Sequence, residues 1–315
     1  MRIALTYNEK RTTSEAEAEF DTRATIDALV DRLARLGHTV AAVEVSGPIG
    51  ALIDRLGRIA PEVVFDIAEG ERGAFREAFY PALFEQLGLA CTGSSPSTRA
   101  LCLDKWLAER IVHAAGVRVP GGVVARSVGD LAHHALEPPL IVKPNFEGSS
   151  KGITSASVVR RPRELETAVR ACLERYPAGA LVERFVDGRD VSVAWVDGLG
   201  WLPTIAYHHD AIVYDYALKH ITPDRVRIEI ERAVEPRLRD AANRAFEALG
   251  VSGYGRADFR ITRDGEPVFI ELNPLPSLAD GELFAAARAI GASPEALLAC
   301  IVRAVRAPIR EPCAA

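Results

Sequence analysis

The chain has 315 residues, enough for about two domains at ~150 residues each, and its hydrophobic fraction of 48% and charged fraction of 26% are ordinary for a globular protein. Its formal net charge of -5 argues against a nucleic-acid binder, which normally carries a basic surface. No apolar run reaches the ~18 residues that a membrane span needs.

The start of the chain and its cysteines indicate the compartment in which the protein is located. Arg2 to Thr6 is predicted as a buried strand, and the cationic and apolar segments of a signal peptide are missing. The cysteines are scattered without metal-ligand spacing; they are Cys91, Cys102, Cys172, Cys300 and Cys313. We expect reduced thiols in a cytoplasmic protein.

The first ~90 residues alternate short apolar runs with helical patterns, which is typical of a parallel α/β sheet. The predicted strands are Arg2 to Thr6, Thr39 to Val43 and Glu62 to Ile67. The predicted helices are Thr22 to Leu36 and Ala74 to Leu87, with a further helix over residues 101–115.

From about residue 123 the pattern changes to β-branched and aromatic runs that predict antiparallel sheet. The predicted strands are Val123 to Ala125, Leu140 to Lys143, Leu181 to Phe185, Val191 to Val196, Gly255 to Ile261 and Pro267 to Leu272. Helices are predicted over 236–249 and, as the last one, about 280–290, followed by a loose tail. The predicted domains are residues 1–95, 96–186 and 187–315.

A lysine at the end of one predicted strand is followed by a loop rich in glycine and serine. The run is Lys143-Pro144-Asn145-Phe146-Glu147-Gly148-Ser149-Ser150-Lys151-Gly152. Such loops let backbone N–H groups approach phosphate oxygens, and the lysine adds positive charge. The order of a Walker A loop is absent, and a polar connection between strands would have the same composition.

Glu183, Val186 and Asp190 form a second pattern beside a predicted strand. The first acid could accept the adenine amino group, the apolar residue could contact the base, and the second acid could bind ribose hydroxyls. Acids beside a strand are also common on protein surfaces, so this pattern alone leaves both interpretations open.

A third pattern lies in the predicted hairpin near the end of the chain. Asp258 is on one strand, and Glu271 and Asn273 are two residues apart on the next, so the latter two share a sheet face. Mg2+ prefers such hard oxygen ligands together with substrate phosphates. The alternative is an exposed polar face of the hairpin.

In chain order, these motifs resemble those of the ATP-grasp ligases, in particular the D-alanine–D-alanine ligase branch. The matching motifs are K-P-x-x-E-G-S-S-x-G from Lys143, E-x-x-x-x-G-x-D from Glu183, Y-D-Y-x-x-K from Tyr214, G-x-G-R-x-D from Gly253 and E-x-N from Glu271. Cys91-Thr92-Gly93-Ser94 and Leu103-Asp104-Lys105 extend the resemblance towards the N-terminus. The resemblance implies an ATP-grasp fold of α/β and α+β class, with an N-terminal parallel α/β domain.

The resemblance also implies roles for individual residues. The nucleotide-binding residues are Lys105, Lys143, Glu147, Ser149, Ser150, Glu183, Val186, Asp190 and Lys219. Asp258, Glu271 and Asn273 correspond to ligands of two Mg2+ ions, and the resemblance implies that Mn2+ can take their place. Arg256, Ser150, Lys219 and Glu15 are the catalytic candidates, Glu15 as the acid that binds the amine. Arg256, Tyr216, His220 and Glu282 are the candidate substrate contacts.

The implied reaction converts a carboxylic acid into an acyl phosphate that an amine then attacks, with ATP giving ADP and phosphate. Metal ions and lysines would neutralise developing charge, and Arg256 would stabilise the tetrahedral intermediate. A lid made of residues 147–152 and 204–225 is expected to exclude water. The expected partners are small-molecule acids and amines, and family members are often homodimers.

The substrate end departs from the family pattern. The N-terminal G-G-x-S-x-E signature is replaced by Tyr7 to Glu15, and the His-Gly turn after the third strand by Ala68-Glu69-Gly70. Glu282 occupies the position of a serine that helps to bind the acceptor carboxylate. Because two carboxylates repel each other, the acceptor either lacks a carboxylate there or carries a cation. Alternatively, Glu282 faces solvent in the first turn of a helix.

These departures favour a specialised ligase acting on amino acids or a small peptide-like acid. A genuine D-alanine–D-alanine ligase remains the first alternative. A cyclising or kinase-like ATP-grasp enzyme, which needs no external amine, is the second. A non-catalytic nucleotide-binding module is disfavoured because the three candidate metal ligands are present.

Overall fold

The computed structural model describes residues 1–305, which contain ten α-helices and thirteen strands in three sheets. The first sheet is parallel, in the order β2-β1-β3. Its strands are β1 (Arg2–Tyr7), β2 (Thr39–Glu44) and β3 (Val63–Asp66), and the helices around it are α1 (Arg23–Arg35), α2 (Ile49–Ile59) and α3 (Arg76–Gln86). The predicted parallel α/β arrangement is confirmed, and α2 was not predicted.

Helices α1 and α2 show why one was predicted and the other missed. Thr22 caps α1 by accepting a hydrogen bond from the backbone N–H of Thr25, and the buried residues Ile26, Leu29 and Leu33 give a clear apolar stripe. Helix α2 contains two glycines, Gly50 and Gly57, which have low helix propensity. Apolar residues nevertheless recur along α2 at helical spacing from Ile49 to Ile59, a signal in the sequence that was not used.

The single helix predicted over residues 101–115 is wrong, because two helices meet there. They are α4 (Pro96–Leu103) and α5 (Lys105–Ala114). Asp104 between them has extended backbone angles, and its carboxylate accepts a hydrogen bond from the N–H of Leu107 at 3.0 Å. This cap starts a new helix whose first residue is Lys105.

The second sheet is antiparallel, as predicted, with the order β4-β7-β5-β6. Its strands are β4 (Gly122–Ala125), β5 (Leu140–Pro144), β6 (Val158–Val159) and β7 (Ala180–Arg184). Helix α6 (Pro162–Arg175), which was not predicted, covers one face through the buried Val169.

The third sheet is also antiparallel, with the order β11-β10-β8-β12-β13 and β9 paired to β8. Its strands are β8 (Arg189–Val196), β9 (Gly200–Trp201), β10 (Ile205–His208), β11 (Arg227–Ile230), β12 (Tyr254–Ile261) and β13 (Pro267–Asn273). Helix α7 (Tyr216–His220) lies between β10 and β11, and α8 (Pro236–Leu249) covers one face. The lid prediction is wrong for residues 205–208, which lie within this sheet.

Two helices complete the described chain, α9 (Glu282–Ala289) and α10 (Pro294–Arg303). The prediction that α9 is the last helix is therefore wrong. Both helices pack onto the first sheet: Leu297 of α10 and Phe284 of α9 share a core with Ile3 and Ile26. The loose tail was predicted to follow residue 290, and only residues beyond 305 lie outside the described range.

Short 3-10 segments occur at Glu15–Glu17, Val128–His133, Ser155–Ser157 and Pro223–Arg225. The four cysteines within residues 1–305 are free thiols, and Cys313 lies outside the described residues. In this described part, no helix is by itself long and apolar enough to cross a membrane.

Candidate active site

Strands β12 and β13 present four polar side chains on one face. Asp258 lies opposite Glu271, and Arg256 lies opposite Asn273. Because side chains alternate along a strand, these four point to the same side, while Ala257 and the residue opposite it are buried on the other. The face that was predicted for Asp258, Glu271 and Asn273 is present, and Arg256 completes it.

Two cationic side chains are bonded to the carboxylates of this face. Arg256 donates two hydrogen bonds to Asp258, both of 2.8 Å, and Lys105 Nζ lies 3.0 Å from Glu271 Oε2. Burial alone would raise the pKa of Glu271, but the charges of Lys105 and Lys143 outweigh it and lower that pKa to about 2. Glu271 is therefore anionic at neutral pH.

The face fits a divalent metal ion. Two carboxylates and the Asn273 amide supply hard oxygen donors of the kind that Mg2+ takes. Asn273 Oδ1 accepts one hydrogen bond, of 2.9 Å from the N–H of Leu275, which leaves it a second lone pair. The ion pairs with Arg256 and Lys105 show that the two carboxylates require positive charge beside them.

A cleft lies between the second and third sheets and reaches this face. Its walls include Ile141, Lys143, Glu183, Phe185, Val186, Asp190, Phe259, Ile270, Lys105, Lys151 and Lys219. Apolar side chains form one end and lysines the other, as a base and its phosphates would require. The structure thus brings together nearly all the residues predicted to bind the nucleotide.

The predicted adenine end offers both hydrogen-bonding and apolar groups. The carbonyl of Val186 accepts a 2.8 Å hydrogen bond from Arg260, and the N–H of Val186 has no partner among the residues that the structure describes. Asp190 is held by Arg260 at 3.0 Å and by His209 at 3.1 Å. A free backbone donor beside apolar walls suits a heteroaromatic base.

Lys143 and Glu183 form a buried ion pair of 2.7 Å at the middle of the cleft. Both side chains are 3% exposed. Their opposite charges cancel locally, so the free positive charge near the phosphate end comes from other lysines. Lys219 on α7 is one of these, since it has no ion pair within residues 1–305.

The loop of residues 147–152 is closed over the cleft and bonded on both sides. Ser150 Oγ donates to the carbonyl of Tyr214 at 3.0 Å, and His220 Nε2 lies 3.1 Å from the carbonyl of Ser149. Ser149 and Ser150 have φ angles of 52° and 56°, in the left-handed region that favours glycine. Such strain persists only where surrounding contacts enforce it.

The N-terminal domain holds the other side of this loop. Glu15 accepts a hydrogen bond of 2.8 Å from the N–H of Gly152 and pairs with Arg175. Glu19 pairs with Lys151. Glu15, the acid predicted to bind the amine, thus contacts the loop and is not among the residues that line the clefts.

A second, wider cleft continues from the first towards the N-terminal domain. Glu19, Glu69 and Glu77 line it, and one carboxylate oxygen from each lies within 4.8 Å of the others. Burial, followed by the charges of neighbouring carboxylates, raises the pKa of Glu69 well above its usual value. Burial is also the largest cause that raises the pKa of Glu77, to about 7, and of Asp21, to about 6. Burial alone would raise the pKa of Glu19 as well, but the charges of Arg76 and Lys151 outweigh it and lower that pKa. Arg76 lies 3.0 Å from Glu19 and 3.8 Å from Glu77, so this wall combines several carboxylates with one buried guanidinium.

The opposite wall of the wider cleft contains Glu282, the first residue of α9. Its carboxylate accepts a 3.0 Å hydrogen bond from Tyr207 Oη and lies 3.9 Å from Arg256 Nη1. Glu282 therefore faces the cleft, and the alternative that it faces solvent only is wrong. His220 also lines this cleft, and burial lowers its pKa, so the ring is neutral at pH 7.

The structure shows where the predicted substrate contact Tyr216 lies and which residues of the site were not predicted. Tyr216 packs on His220, with ring centroids 4.5 Å apart, and Tyr214 lines both clefts in its place. Lys151 and Tyr214 lie within predicted motifs, in which no separate role was given to them. The sequence patterns did not reveal Glu19, Glu69, Glu77 and Tyr207. Only Glu69 carried a signal, because it follows the carboxyl end of a parallel strand, where α/β proteins place ligands.

Replacing Gly152 by alanine should disturb the closed loop. The added Cβ would lie 2.5 Å from the Tyr176 ring and 2.7 Å from Pro144 Cγ, at a φ of +72°. We expect a loss of ~1–2 kcal/mol of stability from the backbone and ~1–3 kcal/mol from crowding. The rate of ADP formation should fall roughly tenfold or more, since the loop can no longer close.

Gly291→Ala is the matched control for this prediction. Gly291 has a φ of +80°, and nothing lies within 4 Å of the added Cβ. The Gly291→Ala variant should lose only the backbone part of the stability, which urea unfolding measures, and should keep its ADP-forming rate. Equal rates in the two variants would mean that the loop geometry is irrelevant to turnover.

Comparisons with known proteins agree with this geometry. The family model described as D-ala D-ala ligase C-terminus matches residues 125–303. A D-alanine–D-alanine ligase from Pseudomonas fluorescens is 34% identical over 284 residues, 88% of this chain and 85% of that protein. One from Pseudomonas putida is 31% identical over 307 residues, 96% and 92% of the two chains. The crystal structure of the Bacillus anthracis D-alanine–D-alanine ligase complexed with ATP has a TM-score of 0.75 and 20% identity, covering 96% of this chain and 97% of that one.

Proposed function

Since the chain belongs to the D-alanine–D-alanine ligase family of ATP-grasp enzymes, we propose that it joins an amino acid or small peptide-like acid to an amine through an acyl phosphate. The cleft between the two antiparallel sheets, with its apolar end and its lysine-rich end, is the observation that carries this proposal. ATP would lie in it, with its terminal phosphate beside the β12–β13 face. The wider cleft would hold the acid and the amine.

In the proposed reaction, the residues of this chain bind and orient the reactants. Lys219, which has no ion pair within residues 1–305, places free positive charge beside the transferred phosphoryl group, while Lys105 and Lys151 line the same cleft in ion pairs with Glu271 and Glu19. Asp258, Glu271 and Asn273 would hold Mg2+, which would neutralise charge on the phosphate oxygens. Arg256 lies where the carbonyl oxygen of the acyl phosphate would gain charge, and its guanidinium would stabilise that oxygen during attack by the amine.

The closed loop excludes water from an intermediate that water would hydrolyse. Ser150 and His220 tie the loop to the segment around α7, and Gly152 ties it to the N-terminal domain. Three parts of the chain therefore close over the same reacting group. Opening for product release requires these hydrogen bonds to break.

Glu69 has no ion pair within residues 1–305, and Glu77 has only Arg76 at 3.8 Å, so the wider cleft supports a substrate that carries an ammonium group. Acceptors ~2.8 Å from an ammonium nitrogen, in tetrahedral directions, lie ~4.6 Å apart. The carboxylate oxygens of Glu19, Glu69 and Glu77 lie within 4.8 Å of one another, a spacing that suits this geometry. Glu282 on the other wall disfavours a free carboxylate at its position.

The alternative, supported by the names of the relatives, is the synthesis of D-alanyl-D-alanine. ADP release with Mg-ATP, measured across D- and L-amino acids singly and in pairs, separates the two. Release with D-alanine alone, with the dipeptide found by mass spectrometry, would establish the alternative. Release only with another acid–amine pair supports a specialised ligase, and no release with any acid removes the proposed function.

Glu282→Ser should change which acceptor is used. The variant removes a carboxylate from the cleft, so acceptors with a free carboxylate should gain roughly tenfold in kcat/KM relative to acceptors without one. Competition between one amine with a free carboxylate and one without, with both products quantified by mass spectrometry, measures this ratio directly. Asp264→Ser, at an exposed carboxylate that lines neither cleft, is the control and should leave the ratio unchanged. An unchanged ratio in Glu282→Ser would contradict a role in selection.

A further inference from the structure

Two glutamates are buried together behind the nucleotide cleft. Glu109 on α5 and Glu183 on β7 are each 2% exposed. One oxygen of each, Oε1 of Glu109 and Oε2 of Glu183, has no hydrogen-bond partner among the described residues. The other oxygen of Glu183, Oε1, is paired with Lys143 Nζ at 2.7 Å.

Two buried carboxylate oxygens without partners would be very costly if both groups were charged. Glu183 acts on the Glu109 carboxyl through both its charge and a side-chain hydrogen bond, so the two groups are neighbours and one shared proton would satisfy both. Burial, followed by the charge and hydrogen bond of Glu183, raises the pKa of Glu109 to about 10. Lys143 stabilises charge on Glu183, which places the proton on Glu109.

We propose that Glu109 is a positioning residue that retains its proton and donates it to Glu183 Oε2, which holds the Glu183–Lys143 pair in place at the wall of the nucleotide cleft. The proposal rests on the proposed function, because it takes this cleft as the ATP site. Glu109 itself is not among the residues that line the cleft, so it acts through Glu183.

The proton also sets the charge beside the bound nucleotide. With it, Glu109, Glu183 and Lys143 together are neutral. Without it, they would carry one net negative charge, which would repel a triphosphate. A hydrogen bond at both Glu183 oxygens moreover fixes the plane of the carboxylate that the nucleotide meets.

Two substitutions separate the proton from the volume of the side chain. Glu109→Gln keeps an N–H donor without charge, and Glu109→Leu keeps a similar volume without a donor. Binding of Mg-ADP by calorimetry should be within about twofold of the wild type for Gln and roughly tenfold or more weaker for Leu. Val112→Ala, which removes buried packing from the same helix, should lower the unfolding midpoint and leave ADP affinity unchanged.

Infrared spectroscopy tests the proton directly. At pH ~8, where a free glutamic acid is ionised, the wild-type minus Glu109→Gln spectrum should contain the C=O band of a protonated carboxylic acid. Absence of the band overturns the proposal, as does wild-type ADP affinity in Glu109→Leu. If the Leu variant does not fold, the band in the Gln comparison still decides.

These measurements need no ligase turnover. Loss of ADP affinity in the Leu variant, together with no ligation of any acid–amine pair by the wild type, would remove the proposed function and keep this inference. Ligation by the wild type, together with wild-type ADP affinity in the Leu variant, would remove this inference and keep the proposed function.

Discussion

Asp258→Asn and Glu271→Gln should each lower the rate of ADP formation by roughly 10³-fold, because each removes a charged oxygen donor from the predicted metal site. The two carboxylates lie opposite each other on β12 and β13, so neither can supply the oxygen ligand that the other provides. The rate is measured with Mg-ATP and the best acid–amine pair. Titration with Mn2+ should show a weaker apparent affinity for the metal in both variants.

Asp264→Asn is the control for these substitutions. Asp264 is an exposed carboxylate in the turn that joins the same two strands. This variant carries the same change in net charge and should keep the wild-type rate. If all three variants turn over equally, the β12–β13 face does not hold the catalytic metal.

Glu77→Gln should make the protein more stable and less active at the same time. Burial is the largest cause that raises the pKa of Glu77 to about 7, so the folded state binds this proton more tightly than the unfolded chain. Stability from this group is therefore lost as pH rises from ~4.5 to ~7, and the glutamine should recover on the order of 2 kcal/mol at pH ~8. Urea unfolding at several pH values measures the difference.

The activity of Glu77→Gln should change in the opposite direction. A substrate ammonium would lose one charged acceptor, and its kcat/KM should fall roughly tenfold. In the wild type, kcat/KM should rise as pH increases through ~7, because Glu77 then becomes charged. Glu85→Gln, at an exposed position of the same helix, should alter neither stability nor activity. A variant that is no more stable at high pH than the wild type would contradict the sign of this argument.

Local patterns were enough to predict which side chains share the β12–β13 face and which loop follows β5. Glu271 and Asn273 are two residues apart on one strand, so alternation places them on one face, and the short turn at Asp264-Gly265 pairs that strand with the one that carries Asp258. The glycine- and serine-rich loop and the strand before it are likewise contiguous in sequence. Such features need no knowledge of distant contacts.

The substrate end could not be predicted in the same way. Glu19, Glu69 and Glu77 come from a loop, a strand end and a helix, and only tertiary packing brings their oxygens together. Glu15 was a candidate although the N-terminal signature is missing, and its carboxylate contacts Gly152 and Arg175. Helix α10 did carry a signal, Ser293 followed by Pro294 at its start, which was not used.

The packing of α10 against the first sheet affects how the protein is made on the ribosome. Ile3 and Leu297 belong to one core, although they come from opposite ends of the chain. The N-terminal domain therefore cannot complete its core during early synthesis, unlike domains that fold in order as they emerge. The middle sheet has its own core around Val142 and Val182, so it can fold first, before the domain that precedes it in sequence.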